Sequence, residues 1–154
     1  MSPEPTSLDA TSRRIIAALD DEPRATLGWL ASTLRLARGT VQNRVAALFA
    51  PGVLRPPSVL VRTASLGLPM RALVTANVDQ DQFDAAMLGL REIPEVLECL
   101  ATSGVNDLYC QVAARDSDHL YEVGQRILRT PGVRRTATSI VLRELIEYRT
   151  SQLL

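Results

Sequence analysis

Apolar residues recur at helical spacing three times in the first third of the chain. Leu8, Ile15, Ile16 and Leu19 form one stripe, so a helix is expected over Leu8–Leu19, ended by Asp20-Asp21-Glu22-Pro23. Leu27, Leu30, Ala31 and Leu34 form a second, with Thr26 placed to cap it. Val41, Val45 and Leu48 form a third, stopped by Pro51-Gly52. Ala31 is small enough to let the second and third helices cross closely, and Trp29 is expected to pack between the helices. Two short helices joined by a tight turn, closed by a third, is the pattern of a helix-turn-helix. After it, Val53-Leu54 and Val59-Leu60-Val61 read as extended segments around Arg55-Pro56-Pro57, a wing or a connecting ribbon. Ala64–Pro69, which contains Gly67 and Pro69, is expected to mark the domain boundary.

The pattern then changes to alternation. Strands are expected over Arg71–Val78, Glu95–Thr102, Leu108–Ala114 and Val133–Leu142. Helices are expected over Gln80–Arg91, with Phe83, Met87, Leu88 and Leu90 as the apolar set, and over Ser117–Arg129, with Ser117 or Asp116 as cap. The order βαββαβ is the ferredoxin-like unit, an antiparallel sheet with two helices on one face. The fold class is therefore α+β. It comprises a helix-turn-helix, winged-helix-like domain over residues 1–54, a connecting segment over 55–69, and a ferredoxin-like domain over 70–154. The sheet's second face, with apolar side chains such as Leu73, Leu97 or Leu108 and Ile140, needs a cover. A homodimer through the sheet is the inference.

Charge sharpens the helix-turn-helix reading. The formal net charge is zero, yet residues 1–78 hold nine Arg against five acids and residues 79–154 eight against twelve. From Arg24 to Asn77 there are seven Arg and no Asp or Glu. Such a segment suits a phosphate-facing surface better than the polar side of an ordinary helical hairpin. With Val41, Val45 and Leu48 inward, Gly39, Asn43, Ala46 and Ala47 face out, Arg38 and Gln42 lie on one flank, and Arg44 lies on the other. Arg38, Gln42 and Asn43 have the fork geometry that reads base edges, and Thr40 and Arg44 suit phosphates. No apolar run approaches the ~20 residues of a membrane span, and no signal peptide is seen, so a cytoplasmic protein is expected.

Other candidate chemistry is thin. Cys99 and Cys110 lack metal-ligand spacing and flank the turn at Ser103–Asp107 almost symmetrically. They are read as two buried free thiols in a reducing compartment, with cross-strand placement on a hairpin open to them. His119, the one histidine, is expected on the surface among Asp116, Asp118 and Glu122. No metal set and no Ser-His-Asp constellation converges on it. No cofactor is expected.

Several motifs in order resemble the Lrp/AsnC (feast/famine) family of transcription regulators. They are Leu8-Asp9 with Ile15-Ile16 and Leu19, then Arg24. Leu30-Ala31, Leu34, Leu36, Thr40-Val41, Arg44-Val45, Leu48 and Gly52-Val53-Leu54 follow. Gly67, Thr102-Ser103-Gly104-Val105-Asn106-Asp107 and Gly132-Val133-Arg134-Arg135-Thr136 complete the match. The resemblance implies binding to double-stranded DNA, assembly as dimers and often rings of four dimers, and control by an amino acid. It implies that Gly104 and Asp107 sit in the effector loop, although Ser-Gly-Val-Asn-Asp is also an ordinary hairpin turn. Ala37 departs from the family's Ser cap, Arg35 from the usual turn Gly, and Ser12 from an acid. Two other classes share the architecture: a siroheme-decarboxylase-like enzyme, and an assembly or ligand-binding protein whose helix-turn-helix no longer reads DNA.

Overall fold

Asp9 starts the first helix, because its carboxylate accepts the Ser12 N–H at 2.8 Å. This is a computed structural model describing residues 7–50 and 53–154. Helix α1 spans Ala10–Asp21, so Leu8 lies ahead of the cap rather than in the helix. Leu8 still packs on the core. Helix α2, Leu27–Leu34, is capped by the Thr26 hydroxyl, which accepts from Trp29 N–H at 3.1 Å. Helix α3, Arg38–Leu48, follows Ala37, which offers no side-chain cap. Ile15, Ala18, Leu30, Val41 and Leu48 are buried together, with Leu19, Leu34 and Val45 around them. Trp29 is a correction: it is 41% exposed. It precedes Leu30 by one residue, and that ~100° rotation carries it off the buried stripe. The expected helix stop at Pro51-Gly52 lies outside the described residues.

The expected extended ribbon is also corrected. Pro57–Leu60 and Thr63–Leu66 are single 3₁₀ turns, and no strand occurs over described residues 53–69. Pro56 and Pro57 have no N–H for a ladder, and the fixed φ of proline suits the start of a turn. The Pro56 carbonyl accepts from Val59 N–H at 3.0 Å instead. The first compact unit runs through Leu60 and takes in Ile146–Leu154, and the second is Val61–Leu145. Within the first, Arg13 donates to the Leu153 carbonyl at 3.0 Å and the Arg55 guanidinium lies 5.8 Å from the Tyr148 ring centre.

The second unit contains β1 (Met70–Val78), α4 (Phe83–Arg91), β2 (Val96–Ala101), β3 (Leu108–Ala114), α5 (Ser117–Leu128) and β4 (Val133–Ile140). The strands pair antiparallel in the order β2-β3-β1-β4, as the split βαβ arrangement requires. Ala72, Val74, Ala76 and Val78 alternate into the core with Leu108, Cys110, Val112 and Ala114. Ala86 and Leu90 of α4 and Leu120, Val123 and Ile127 of α5 close over them. Leu88, expected in that set, is 65% exposed. Gly132, at φ 85°, turns the chain between α5 and β4. A Cβ there would lie 2.9 Å from the Gln82 carbonyl oxygen, so only glycine fits without movement.

The open sheet face differs from the expectation. Leu108 is fully buried on the helix side, and Ile140, paired with Ala72, shares that side. A bulge between Val96 and Glu98 shifts the phase of β2. The other face carries Leu73, Leu100 and Tyr109 among polar residues. A polar row crosses it: Gln111 donates to Glu98 at 3.0 Å, Arg71 to Gln111 at 3.4 Å and to Glu144 at 2.7 Å.

Candidate nucleic-acid interface and effector loop

Helix α3 turns its polar side entirely to solvent. Arg38, Gly39, Thr40, Gln42, Asn43 and Arg44 are all exposed, while Val41 and Leu48 are buried. Arg38, Gln42 and Asn43 have no side-chain partner among the described residues, so their donors are available to an incoming acceptor. Arg44 differs, because its guanidinium pairs with Asp9 at 2.6 Å. The Ser12 backbone N–H, with lesser help from Arg44, holds the Asp9 carboxyl below the usual range. Both partners are nearly half exposed, and such a pair contributes little to stability. The turn between α2 and α3 is closed by Leu36 N–H to the Ala31 carbonyl at 2.9 Å. Arg14 of α1 adds a bond to the Leu34 carbonyl at 2.9 Å.

The Ser103–Asp107 loop joins β2 to β3. Gly104 sits at φ 132°, a backbone conformation open to glycine, and a Cβ added there would meet nothing within 4 Å. Asp107 is committed to the fold: its carboxylate accepts Val78 N–H at 2.9 Å and its N–H donates to the Ala76 carbonyl at 3.0 Å. Asn77 donates to the Val105 carbonyl at 2.8 Å, and the Thr102 hydroxyl to the Asn106 carbonyl at 2.7 Å. Asn77, Val105 and Asn106 also line a cavity of about 270 Å³, together with Thr75, Arg135, Thr136 and Ala137. Gly104 and Asp107 do not line it. Arg135 supplies its one cation, opposite Asn77 in the β1–β4 ladder. The sequence pattern pointed to the loop but missed Asn77 and Arg135, which a pairing register between distant segments brings beside it.

His119 is not a surface residue. It is 5% exposed, its Nδ1 accepts Arg115 N–H at 3.1 Å, and its Nε2 lies 3.1 Å from the Glu95 carboxylate. The Arg115 donor fixes the ring proton on Nε2. Arg126 pairs with the same Glu95 at 2.6 Å. Both ring nitrogens are thus occupied, Nδ1 by the backbone just before α5 and Nε2 by Glu95, which ties α5 to the segment before β2. Among the described residues no group of three or more His, Cys, Asp or Glu converges as metal ligands.

Known proteins agree with this layout. A profile described as the Lrp/AsnC ligand binding domain matches residues 71–151, and one described as a winged helix-turn-helix DNA-binding domain matches residues 8–50. The HTH-type transcriptional regulator FL11 of Pyrococcus abyssi is 30% identical, over 89% of this chain and 91% of its own. An HTH-type transcriptional regulator of Mycobacterium tuberculosis is 31% identical, over 91% and 95%. A transcriptional regulator of Neisseria meningitidis solved with L-methionine superposes with a TM-score of 0.80 at 26% identity, covering 96% of this chain and 100% of that one. The feast or famine regulatory protein of M. tuberculosis, also with L-methionine, gives 0.81 at 30%, covering 94% and 98%. With a profile over more than half its length and relatives matched nearly end to end, this chain belongs to the Lrp/AsnC family of helix-turn-helix transcriptional regulators.

Proposed function

We propose that this regulator reads double-stranded DNA through α3 and answers to an amino acid held beside the Ser103–Asp107 loop. The observation that carries it is the solvent face of α3. Arg38, Gln42 and Asn43 stand exposed with unused donors, in a segment from Arg24 to Asn77 that has no acid. In this reading they contact base edges, while Thr40 and Arg44 hold phosphates, Arg44 exchanging Asp9 for DNA. Few long side chains face out, so shape and repeated half-sites carry much of the specificity. The protein acts where the chromosome is, in the cytoplasm.

The effector reading rests on the cavity beside the loop, where the Arg135 guanidinium suits a carboxylate. Two structural relatives carry L-methionine, which makes it the first amino acid to test. Gly104 and Asp107 act in this reading by shaping the loop. A homodimer through the open sheet face, and a higher assembly up to an octamer, completes the proposal. The protein is not an enzyme in this reading, since its one histidine has both ring nitrogens engaged in the fold.

The decisive experiment is a DNA-shift titration on the gene's own upstream region. Asn43→Ala should weaken the cognate site by about 1–3 kcal/mol and leave random DNA nearly unchanged. Equal weakening on both would remove the base-reading role.

A further inference from the structure

Arg35 is the only non-glycine residue at positive φ among the described residues, at φ 54° and ψ 48°. That left-handed conformation crowds a Cβ against the backbone, and glycine adopts it freely. The strain is not needed to close the turn. The two bonds that end α2 run from the backbone N–H groups of Arg35 and Leu36, to the carbonyls of Ser32 and Ala31. The last carbonyl of α2, Leu34, is met by Arg14 from α1. A glycine would keep every one of these contacts. The Arg35 side chain itself is exposed and makes no hydrogen bond or ion pair among the described residues. A strained residue whose side chain does nothing for the fold points to a use outside it.

We infer that Arg35 is a further DNA-contacting residue that clamps a backbone phosphate beside the groove occupied by α3. The position fits, because Arg35 lies in the turn that delivers the first turn of α3, three residues before Arg38. When a recognition helix enters the major groove, the chain leading into it meets the phosphate wall. Arg35 and Arg38 face no acid on their own segment. The planar guanidinium suits bidentate phosphate contact. The inference rests on the DNA reading of α3.

The test sets stability against affinity in Arg35→Gly, with Arg35→Lys and Asn43→Ala as companions, using full-length protein and a DNA duplex from its upstream region. Arg35→Gly should raise the thermal midpoint by a few degrees, since it relieves the strain. It should also weaken cognate and random DNA alike, by about fivefold per subunit at ~0.15 M salt, and lower the salt slope by about 0.9 per subunit. Arg35→Lys should retain the salt slope. An Arg35→Gly variant of raised midpoint with unchanged affinity and slope would overturn the inference. So would an affinity loss confined to the cognate sequence. Failure of the DNA reading looks different: the wild type itself would shift no duplex, and Asn43→Ala would change nothing.

Discussion

Cys99 and Cys110 show what a single pair of side chains can be predicted to do. They face each other in register across β2 and β3, with the sulfurs 3.3 Å apart and both thiols free. The symmetry of the hairpin made that placement readable from the sequence, but the sharing of a proton was not. Cys110 S–H donates to Cys99, and this bond holds the Cys99 thiol below its ordinary range. The same bond, with burial and the charge that forms on Cys99, drives Cys110 far upward. The first proton therefore leaves from Cys99, which is also the more accessible of the two. Native protein should take up one equivalent of iodoacetamide, mapped by mass spectrometry to Cys99, and the second only in denaturant. In Cys110→Ala the pH midpoint of Cys99 alkylation should move up, because its hydrogen-bond donor is gone. Equal rates at both thiols, or Cys110 reacting first, would contradict this order. Asp107 and His119 mark the limit of reading residues alone. Turn composition identifies the Asp107 loop, and spacing places His119 in a first helical turn. Neither tells that Asp107 holds the end of β1 or that His119 is sealed against Glu95.

Elements with a long, clean period were legible, and those governed by a local break were not. Leu108–Ala114 agrees with its expected span, and α2, α4, α5 and β2 differ only near their ends. The proline pair at 56–57 and the β2 bulge each replaced a period with a local geometry that the pattern does not encode. Two elements yield predictions. Helix α3 starts without a side-chain cap at Ala37, so Ala37→Ser should stabilise the protein by about 1 kcal/mol. A thermal melt showing no gain would mean that the first turn already has another acceptor. Helix α5 is fastened by Glu95, which receives both His119 and Arg126. Burial works to raise the Glu95 carboxyl, but the bonds from its own backbone, Arg126 and His119 outweigh it, and the net shift is downward. A carboxyl depressed in the folded state gives stability above its unfolded value, near ~4.3, and loses it as pH falls through the folded value. Glu95→Gln should therefore be less stable than wild type at neutral pH, and urea midpoints of the two should converge below about pH 4. A gap that stays constant from neutral pH down to about pH 3 would exclude this role for the charge.

At the scale of the whole molecule, a division of charge sets a basic first half apart from an acidic second half. That division was visible in the charges alone, and the cavity was not, because it joins β1, the loop before β3 and β4. Its chemistry decides which residue tests the effector proposal. Asp107 is a poor choice, since its carboxylate accepts Val78 N–H and its loss would disturb the end of β1. Arg135 is better. It is exposed, it lines the cavity, and no hydrogen bond or ion pair of its side chain occurs among the described residues. Removing its charge should leave the fold and basal DNA binding unchanged while removing the counter-charge for an amino-acid carboxylate. Calorimetry of wild type against the twenty amino acids should find at least one that binds, and Arg135→Gln should lose that heat with its thermal midpoint retained. The bound amino acid should change DNA affinity by about 5–150-fold, a coupling of ~1–3 kcal/mol, and by reciprocity DNA should change amino-acid affinity by the same factor. The open sheet face is tested separately. Its apolar residues are few, Leu73, Leu100 and Tyr109 among a polar row, so Leu73→Asp should shift light-scattering mass toward the monomer without unfolding the sheet. A wild-type monomer at micromolar concentration would rule out pairing through that face. An amino acid bound equally by wild type and Arg135→Gln would move the effector site away from this cavity while leaving the DNA reading untouched.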